Sequence, residues 1–289
     1  MWLRRLTFAN LLAQAAIIVT GVTVRVTGSG LGCPTWPQCV PGSYVPTVQQ
    51  EQSWHKFIEF GNRTLTFALT TIAIVTVIAV WRSSVADRRM RALSLVPVLG
   101  TAGQALLGGI TVLTGLNPYI VMAHFLISIG LVAASHALWA RAVRTHIEPI
   151  ENQRLLDVAS KALVVMALVV ITLGTVVTGS GPHSGDADQP ARLGLDPAVM
   201  AWIHADAVWL AVGTAVTLWL YVRWSLNNTV VEKRLRSVVV IMACQGSIGY
   251  LQYWTGLPWY LVVVHAALAA WFWIAVLHAR SAIRSAITP

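Results

Sequence analysis

Charged side chains are scarce in this sequence. They make up 11% of its 289 residues, against about 25% in an ordinary soluble domain, and the mean hydropathy is +0.67. This composition excludes a soluble globular protein and indicates a membrane protein. Acidic residues are the rarer sign, which leaves a net charge of +9. The basic residues lie in short segments between apolar runs, a distribution typical of membrane orientation and not of nucleic-acid binding.

Other features are also missing. The sequence has no flavin or nucleotide fingerprint, so electrons for any redox reaction must come from another protein or a quinol. No convincing small-residue cleavage site follows the first apolar run, which is interpreted as a retained helix. Cysteine is rare, and Cys33 and Cys39 lie in one loop that is expected outside the cytoplasm. That location favours a disulfide. A zinc site lacks further evident ligands, and a redox-active thiol pair remains an alternative.

Apolar runs of about 20 residues, the length that crosses a bilayer, occur eight times. They predict helices at 6–24, 58–81, 93–113, 119–140, 160–178, 199–222, 236–254 and 259–279. Arg-rich and Lys-rich segments alternate with poorer ones, so the positive-inside rule predicts that both termini are cytoplasmic. The fold class is therefore predicted as an all-α, multi-pass protein of the plasma membrane, embedded in the lipid bilayer.

Parts of the sequence occur twice. The stretch 114–125 returns as 255–266, and each copy has a Thr-Gly-Leu turn, a proline, a tyrosine and a histidine. The first and fifth apolar runs both end in Val-Thr-Gly-Ser-Gly, at 26–30 and 177–181. We therefore predict two tandem four-helix bundles related by an internal pseudo-twofold repeat, over residues 1–150 and 151–289.

Polar side chains recur near the outer ends of the even-numbered helices, at Asn62, His124, His204 and His265. Imidazole suits haem iron, so His204 and His265 are candidate axial ligands in the second half. In the first half His124 is expected to face Asn62, which is a poor iron ligand. One isolated buried histidine more often bonds to a neighbouring helix, but the repeated positions favour ligation.

Further polar residues surround the first-half position. Glu59 lies three residues before Asn62, on nearly the same helical face. It is interpreted either as a proton-carrying group beside a haem or as an ion-pair partner of Arg25 or Arg63. Arg25 and Arg63 are also candidates for binding haem propionates, because a guanidinium forks onto carboxylates.

The remaining histidines receive weaker interpretations. His136 and His278 lie about three turns further in and lack partners at matching depth on the second and sixth helices, so we expect interfacial or structural roles. His55, His146 and His183 are expected in loops, and His55 is also a candidate substitute for the ligand missing near residue 62.

These residues resemble the haem A synthase family of bacterial and mitochondrial membranes. The most specific parts are the segment 24–39, VRVTGSGLGCPTWPQC, the segment 59–63 and the histidine-bearing helices, and the similarity covers nearly the whole chain. The resemblance implies an enzyme, a haem-dependent oxidoreductase. Its reaction oxidises a methyl group of haem O, through an alcohol, to the formyl group of haem A for terminal cytochrome oxidase.

The resemblance also implies a set of site residues and partners. A haem b cofactor is expected on His204 and His265 in the second half. Haem O is expected as the substrate near His124 in the first half, with Glu59 essential. It further implies a disulfide between Cys33 and Cys39, and haem O delivery by haem O synthase, the membrane farnesyltransferase. The external electron donor is expected to be a ferredoxin-like protein or a quinol.

Asn62 departs from the family pattern, which commonly has histidine there. Either His124 serves alone and leaves an iron position open, or activity is lost; the first is preferred because Glu59, Arg63 and the cysteine loop remain. The alternative function is a di-haem b-type membrane electron carrier without catalysis, which would not need Glu59. A transporter ranks last, since the glycines at 108–109 and 174 are weak signs of broken helices.

Overall fold

Eight α-helices dominate the computed structural model, which describes residues 2–143, 147–150, 154–186, 190–226 and 228–287. They are α1 (Trp2–Val26), α2 (His55–Arg82), α3 (Arg88–Leu113), α4 (Pro118–Val143), α5 (Arg154–Ser180), α6 (Pro197–Tyr221), α7 (Thr229–Trp254) and α8 (Trp259–Ile287), with a π-helical turn at Val222–Leu226. Each predicted apolar run corresponds to one helix, because a helix satisfies its backbone groups internally. His146 and residue 151, at the predicted boundary between the halves, lie outside the described residues.

Seven of the eight helices found in the described ranges are long and apolar enough to span a membrane. The exception is α7, which begins with a charged run that includes Glu232, Lys233 and Arg234 and carries Gln245 and Gln252 nearer its end. These polar side chains lower its hydropathy. The prediction of an all-helical, multi-pass membrane protein is confirmed, and the crossing by α7 stays a prediction.

Side-chain caps fix where several helices begin. Asp87 accepts a hydrogen bond from Met90 N at 2.7 Å at the start of α3. Asp196 caps α6 through Ala198 N at 2.7 Å. Asn228 caps α7. An oxygen at this position satisfies an amide that has no partner within the helix, so these residues set the entry points of three helices.

The repeated Thr-Gly-Leu turn ends α3 and α7 in the same conformation. Leu116 and Leu257 have φ angles of 58° and 59°, in the left-handed region, and each follows a glycine with positive φ. The amide of Leu116 donates to Thr111 O at 2.9 Å, and the amide of Leu257 donates to Gln252 O at 2.7 Å. A left-handed residue after a helix turns the chain back toward the bundle. Both copies of the turn thus direct the next helix, α4 or α8, back into the bundle.

The helices pack as two closed groups. In the first, α1 contacts α2, α2 contacts α3, α3 contacts α4 and α4 contacts α1; α5 to α8 form the same ring in the second. Across the interface α8 contacts α1 and α4, and α4 contacts α5. Trp273 of α8 donates its indole N–H to Ile129 O of α4 at 3.0 Å. Within each ring, α2 and α4, or α6 and α8, lie diagonally opposite.

The two ends of the molecule differ. One end, where α1 begins and α8 ends, is called the terminal end. There Arg4 Nε donates to Ala142 O at 3.3 Å and Ile150 N donates to Ala286 O at 2.8 Å. At the long-loop end, which carries residues 27–54, 181–186 and 190–196, Gly30 N donates to Gly185 O at 2.8 Å. The long loops of the two halves therefore contact each other over the same end of the bundle.

Candidate functional site

A single cavity of about 1780 Å³ runs through both halves. Asn62, His124, His204 and His265 all line it. Pockets for one small ligand usually measure about 300–1,000 Å³. The cavity is therefore large enough for two ligands of porphyrin size, and its four recurring polar side chains belong to α2, α4, α6 and α8.

The three histidine rings each lie against a glycine of the preceding helix. A β-carbon on Gly108 of α3 would lie 3.5 Å from Cε1 of His124, and one on Gly174 of α5 would lie 3.4 Å from Cε1 of His204. For Gly249 of α7 and His265 that distance is 3.2 Å. Gly108 and Gly174 both lie inside continuous helices, α3 and α5, so they are not the helix breaks that a transporter would be expected to have. Of these three glycines, only Gly249 is so close that an added β-carbon would fall below an ordinary van der Waals contact, so its missing side chain gives room to the His265 ring.

The orientation of these rings fits iron ligation. Nδ1 of His124 is buried and has no hydrogen-bond partner within the described residues. The Nδ1 atoms of His204 and His265 are buried too, and each of these rings lies beside a backbone carbonyl of the preceding helix, that of Val170 and that of Gln245 respectively. In His204 and His265 this nitrogen lies on the glycine side, 3.8 and 3.7 Å from the added β-carbon. Nε2 is then the nitrogen on the cavity side of the ring, and a neutral imidazole binds iron through such a nitrogen. The second half thus presents two imidazoles to the cavity, one from α6 and one from α8.

Two glutamines recur beside the histidines and were missed by the sequence analysis. Gln104 Nε2 donates to His124 O at 2.8 Å, and Gln245 Nε2 donates to His265 O at 3.1 Å. Each glutamine precedes its histidine by 20 residues and its ring-packing glycine by four. This repeated spacing was a signal that the sequence contained. Both amides hold the histidine-bearing helix against the helix before it.

Asn62 makes the first half unlike the second. Its Oδ1 atom accepts a hydrogen bond from Thr20 Oγ1 of α1 at 2.8 Å. In the second half the side chain at the comparable place is His204, and the residue of α5 at the place of Thr20 is Ile171, which has no hydroxyl group. The first half therefore presents one histidine and one amide to the cavity. No sequence pattern pointed to Thr20.

Glu59 is an ion-pair partner of Arg63, which was one of the two interpretations open from the sequence. Glu59 Oε1 lies 2.6 Å from Arg63 Nη2, and Glu59 Oε2 accepts from Cys33 N at 2.6 Å. The Glu59 side chain is only 7% exposed. Its carboxylate thus fastens the cysteine loop to α2, at the rim of the cavity that it lines.

The guanidinium of Arg63 is committed to the same loop. Nη2 also donates to Cys33 O at 2.8 Å, and Nη1 donates to Thr35 O at 3.1 Å and Gln38 O at 3.3 Å. Nε donates to Glu59 at 3.1 Å. These bonds use all five N–H groups of an arginine. Arg63 therefore positions the loop, and it has no free donor for a propionate in this arrangement.

Arg25 links the two halves. Its Nε donates to His183 O at 2.8 Å and its Nη2 donates to Thr178 O at 3.2 Å, so a residue of α1 holds the long loop of the second half. His183 lies in that loop as expected, and its Nε2 is 2.8 Å from Leu257 O. Arg25 also lines the cavity.

The cysteine loop covers the first half. Cys33 and Cys39 are joined by the predicted disulfide and are almost completely buried. Trp36 of this loop lines the cavity and lies so close to Gly109 of α3 that a β-carbon there would overlap the indole. The loop therefore places the Trp36 side chain over the mouth of the cavity in the first half. Trp36 packs on Gly109, the residue that follows Gly108, against which the His124 ring lies.

The other histidines lie away from the ligand positions. His55 begins α2, so its predicted loop position is wrong; its Nδ1 is 2.9 Å from Ser29 Oγ and its ring stacks on Trp54. His136 Nε2 lies 3.4 Å from His278 Nδ1, which joins α4 to α8. His136 and His278 therefore contact each other between the two halves, and no histidine of α2 or α6 is needed to explain their positions.

An all-helical membrane protein whose large internal cavity is lined by histidines on separate helices has the features of a membrane haem protein. Comparison with known proteins makes the assignment specific. The COX15-CtaA family, described as cytochrome oxidase assembly protein, matches residues 4–277. The chain belongs to this family.

Individual relatives agree with the family assignment. The chain is 26% identical over 272 residues to a protein of Listeria monocytogenes serotype 4a named heme A synthase, covering 90% of this chain and 88% of the relative. A heme A synthase of Bacillus pumilus is 27% identical over 183 residues, which is 61% of this chain and 58% of that one. A heme A synthase of Lysinibacillus sphaericus is 31% identical over 134 residues, 46% and 42% of the two chains.

Proposed function

We propose that this protein is an oxidoreductase that converts haem O to haem A for cytochrome oxidase, by oxidising a ring methyl group through an alcohol to a formyl group. The observation that carries the proposal is one cavity lined by two unequal sites, a histidine pair in the second half and a histidine with an amide in the first. The full-length relatives named heme A synthase support the same reaction.

In the second half, His204 and His265 would hold a haem b cofactor. A haem with both axial positions filled by histidine supplies electron transfer and leaves no iron position free for other ligands. Gly249 leaves space for the His265 ring, the His204 ring packs against Gly174, and Gln245 fixes α8 against α7. These contacts keep the imidazoles in position without the help of a ligand, which lowers the cost of binding.

In the first half, haem O is the proposed substrate, and His124 is its iron ligand. The porphyrin and its long apolar tail match a cavity whose walls are mostly apolar side chains. Trp36 and the disulfide loop cover this half and exclude water from the reacting methyl group. Arg25 reaches the same cavity, and we assign a propionate contact to it and not to Arg63, whose donors are all engaged.

Glu59 acts in this proposal by holding the loop through Arg63 and Cys33, and its carboxylate is the acidic group that can hold a proton at the rim of the cavity. We further propose that the two helix rings are tandem repeats over 1–150 and 151–289. The matching turns at Leu116 and Leu257 support this, as do the matching glutamines.

The cellular arrangement is also part of the proposal. We propose that both termini lie in the cytoplasm and the long loops on the outer side of the plasma membrane. The Arg-rich and Lys-rich segments at the terminal end support this orientation. Haem O synthase is the proposed source of the substrate. A ferredoxin-like protein or a quinol is the proposed electron donor, and dioxygen is the proposed oxidant. At each of two hydroxylations one dioxygen molecule would take up two electrons from the donor and two protons, place one oxygen atom in a C–H bond and leave the other as water. The doubly hydroxylated carbon would then lose water to give the formyl group.

The test is haem A formation in cells that lack their own haem A synthase but contain haem O synthase. Cells that express this chain are expected to accumulate haem A, measured by chromatography of extracted haems, and cells that express a His124→Ala variant are expected to accumulate haem O alone. The absence of haem A, although the protein is present in the membrane with haem bound in both halves, would refute the proposal.

A further inference from the structure

Thr20 determines how the amide of Asn62 is oriented. Thr20 Oγ1 lies 2.8 Å from Asn62 Oδ1 and 3.1 Å from Ile17 O of its own helix. Its single proton goes to the nearer acceptor, so the hydroxyl group donates to the carbonyl oxygen Oδ1. The amide nitrogen Nδ2 is the other polar atom of a side chain that lines the cavity, and within the described residues it donates to no protein acceptor. A hydrogen-bond donor is thereby turned toward the space that His124 also borders.

The second half shows that this arrangement is a feature of the first half alone. There α6 carries an imidazole, His204, and the residue of α5 at the place of Thr20 is Ile171, which has no hydroxyl group. The His204 ring lies beside the backbone carbonyl of Val170 instead. In the first half α1 supplies a hydroxyl group of a size and position that suit an amide. Thr20 therefore offers a hydrogen bond to an asparagine at position 62, whereas the second half has no hydroxyl group that could do so at position 204.

An amide nitrogen is a donor and not an iron ligand. A haem held in the first half by His124 would have an iron position left open by α2, where Asn62 lines the cavity with an N–H group. A small ligand that occupied this position and accepted a hydrogen bond would be stabilised there, because polarity and donors around the open position of a haem decide what it binds. The second half offers no such position, since His204 and His265 together fill both sides.

We infer that the first half contains a binding site for a small uncharged diatomic ligand of haem iron, and that Asn62 Nδ2, held by Thr20, donates a hydrogen bond to the ligand. The inference rests on the proposed function, because it requires a haem on His124. It assigns Asn62 a ligand-binding role and Thr20 a positioning role.

The experiment uses carbon monoxide as the probe and the haem-loaded full-length protein after reduction with dithionite. Difference spectra count the haems that bind the gas, and infrared spectra give the C–O stretching frequency. The unchanged protein is expected to bind carbon monoxide at one of its two haems. A nearby donor draws electron density onto the bound ligand and weakens its internal bond, so the stretching frequency is expected to be lower than without the donor.

Three variants separate the contributions. Asn62→Leu keeps the size of the side chain and the open position but removes the donor, so binding is retained and the frequency rises. Thr20→Val releases the amide and is expected to give a broadened or intermediate frequency. Asn62→His supplies a second iron ligand, so carbon monoxide binding is lost or slowed at least tenfold while haem content is unchanged.

The result that overturns this inference alone is a first-half haem, lost in a His124→Ala variant, that binds no carbon monoxide or has the same frequency in the unchanged protein and in Asn62→Leu. If His124→Ala leaves the haem content and the spectrum unchanged, no haem is held by His124, and the proposed function fails together with the inference.

Discussion

Arg63 Nη2 lies 2.6 Å from Glu59 Oε1 and 2.8 Å from the carbonyl oxygen of Cys33. One guanidinium therefore joins a carboxylate of α2 to the disulfide loop. Because Glu59 also accepts the amide of Cys33, the loop is held by both its N–H and its C=O at the same residue. The cover of the first half is thus fastened to the helix that carries Asn62.

Glu59→Ala is expected to loosen this cover and to destabilise the protein by about 3 kcal/mol, because it leaves Arg63 and the Cys33 amide without their partner in a largely buried place. Thermal unfolding in detergent measures the change. Haem A formation is expected to fall, whereas a b-type electron carrier would keep its haem spectrum and its turnover.

The matched control is Lys161→Ala. Lys161 and Asp157 have the same i, i+4 spacing and the same 2.6 Å separation, but the lysine side chain is 60% exposed. An exposed pair of this kind contributes little, so the melting temperature should barely change. Equal melting temperatures for the two variants would contradict the role of Glu59 in fastening the disulfide loop to α2.

Gly249→Ala is expected to lower the haem content of the second half several-fold. The added methyl group would lie 3.2 Å from His265 Cε1, closer than an ordinary van der Waals contact, and would shift the ring by a few tenths of an ångström. Alanine normally stabilises a helix relative to glycine by about 1 kcal/mol, so loss of haem could not be attributed to a weaker helix. The pyridine haemochrome spectrum measures the haem content per protein.

Gly213→Ala on α6 provides the comparison, because a β-carbon there meets no atom within 4 Å. It is expected to keep its full haem content. If both variants lost haem equally, or neither did, the glycine at 249 would not be making room for an axial ligand.

His278→Ala is expected to affect stability but not haem binding. It leaves His136, which is 3% exposed, without its bond across the interface of the two halves, at a cost of about 1–3 kcal/mol. Thermal unfolding and the haem spectrum measure the two effects separately, with His265→Ala as the variant that loses haem. A full-stability protein lacking one haem after His278→Ala would indicate a cofactor site at the terminal end.

The positions of the helices and of the lining histidines were predictable from the sequence. A bilayer-length apolar run specifies its helix locally, and the copies at 114–125 and 255–266 placed His124 and His265 in register. The charged start of α7 shows the limit of this reasoning, because that helix is held by its neighbours α6 and α8 and falls short of the composition of a typical spanning helix.

The choice of partners was not predictable in the same way. Sequence spacing allowed Glu59 to pair with Arg25 or Arg63, and only the packing of the loop shows that Arg63 is used while Arg25 crosses to the second half. The bond between Thr20 and Asn62 likewise depends on how α1 meets α2. The glutamines at 104 and 245 were detectable, since their spacing to the histidines repeats.

The central claim, two unequal haem sites in one cavity, is tested most directly by electron paramagnetic resonance of the purified, oxidised protein loaded with both haems. We expect a low-spin signal that disappears in His265→Ala and a separate high-spin signal that disappears in His124→Ala. Two low-spin signals of the bis-histidine type, or one signal that neither variant removes, would contradict the account.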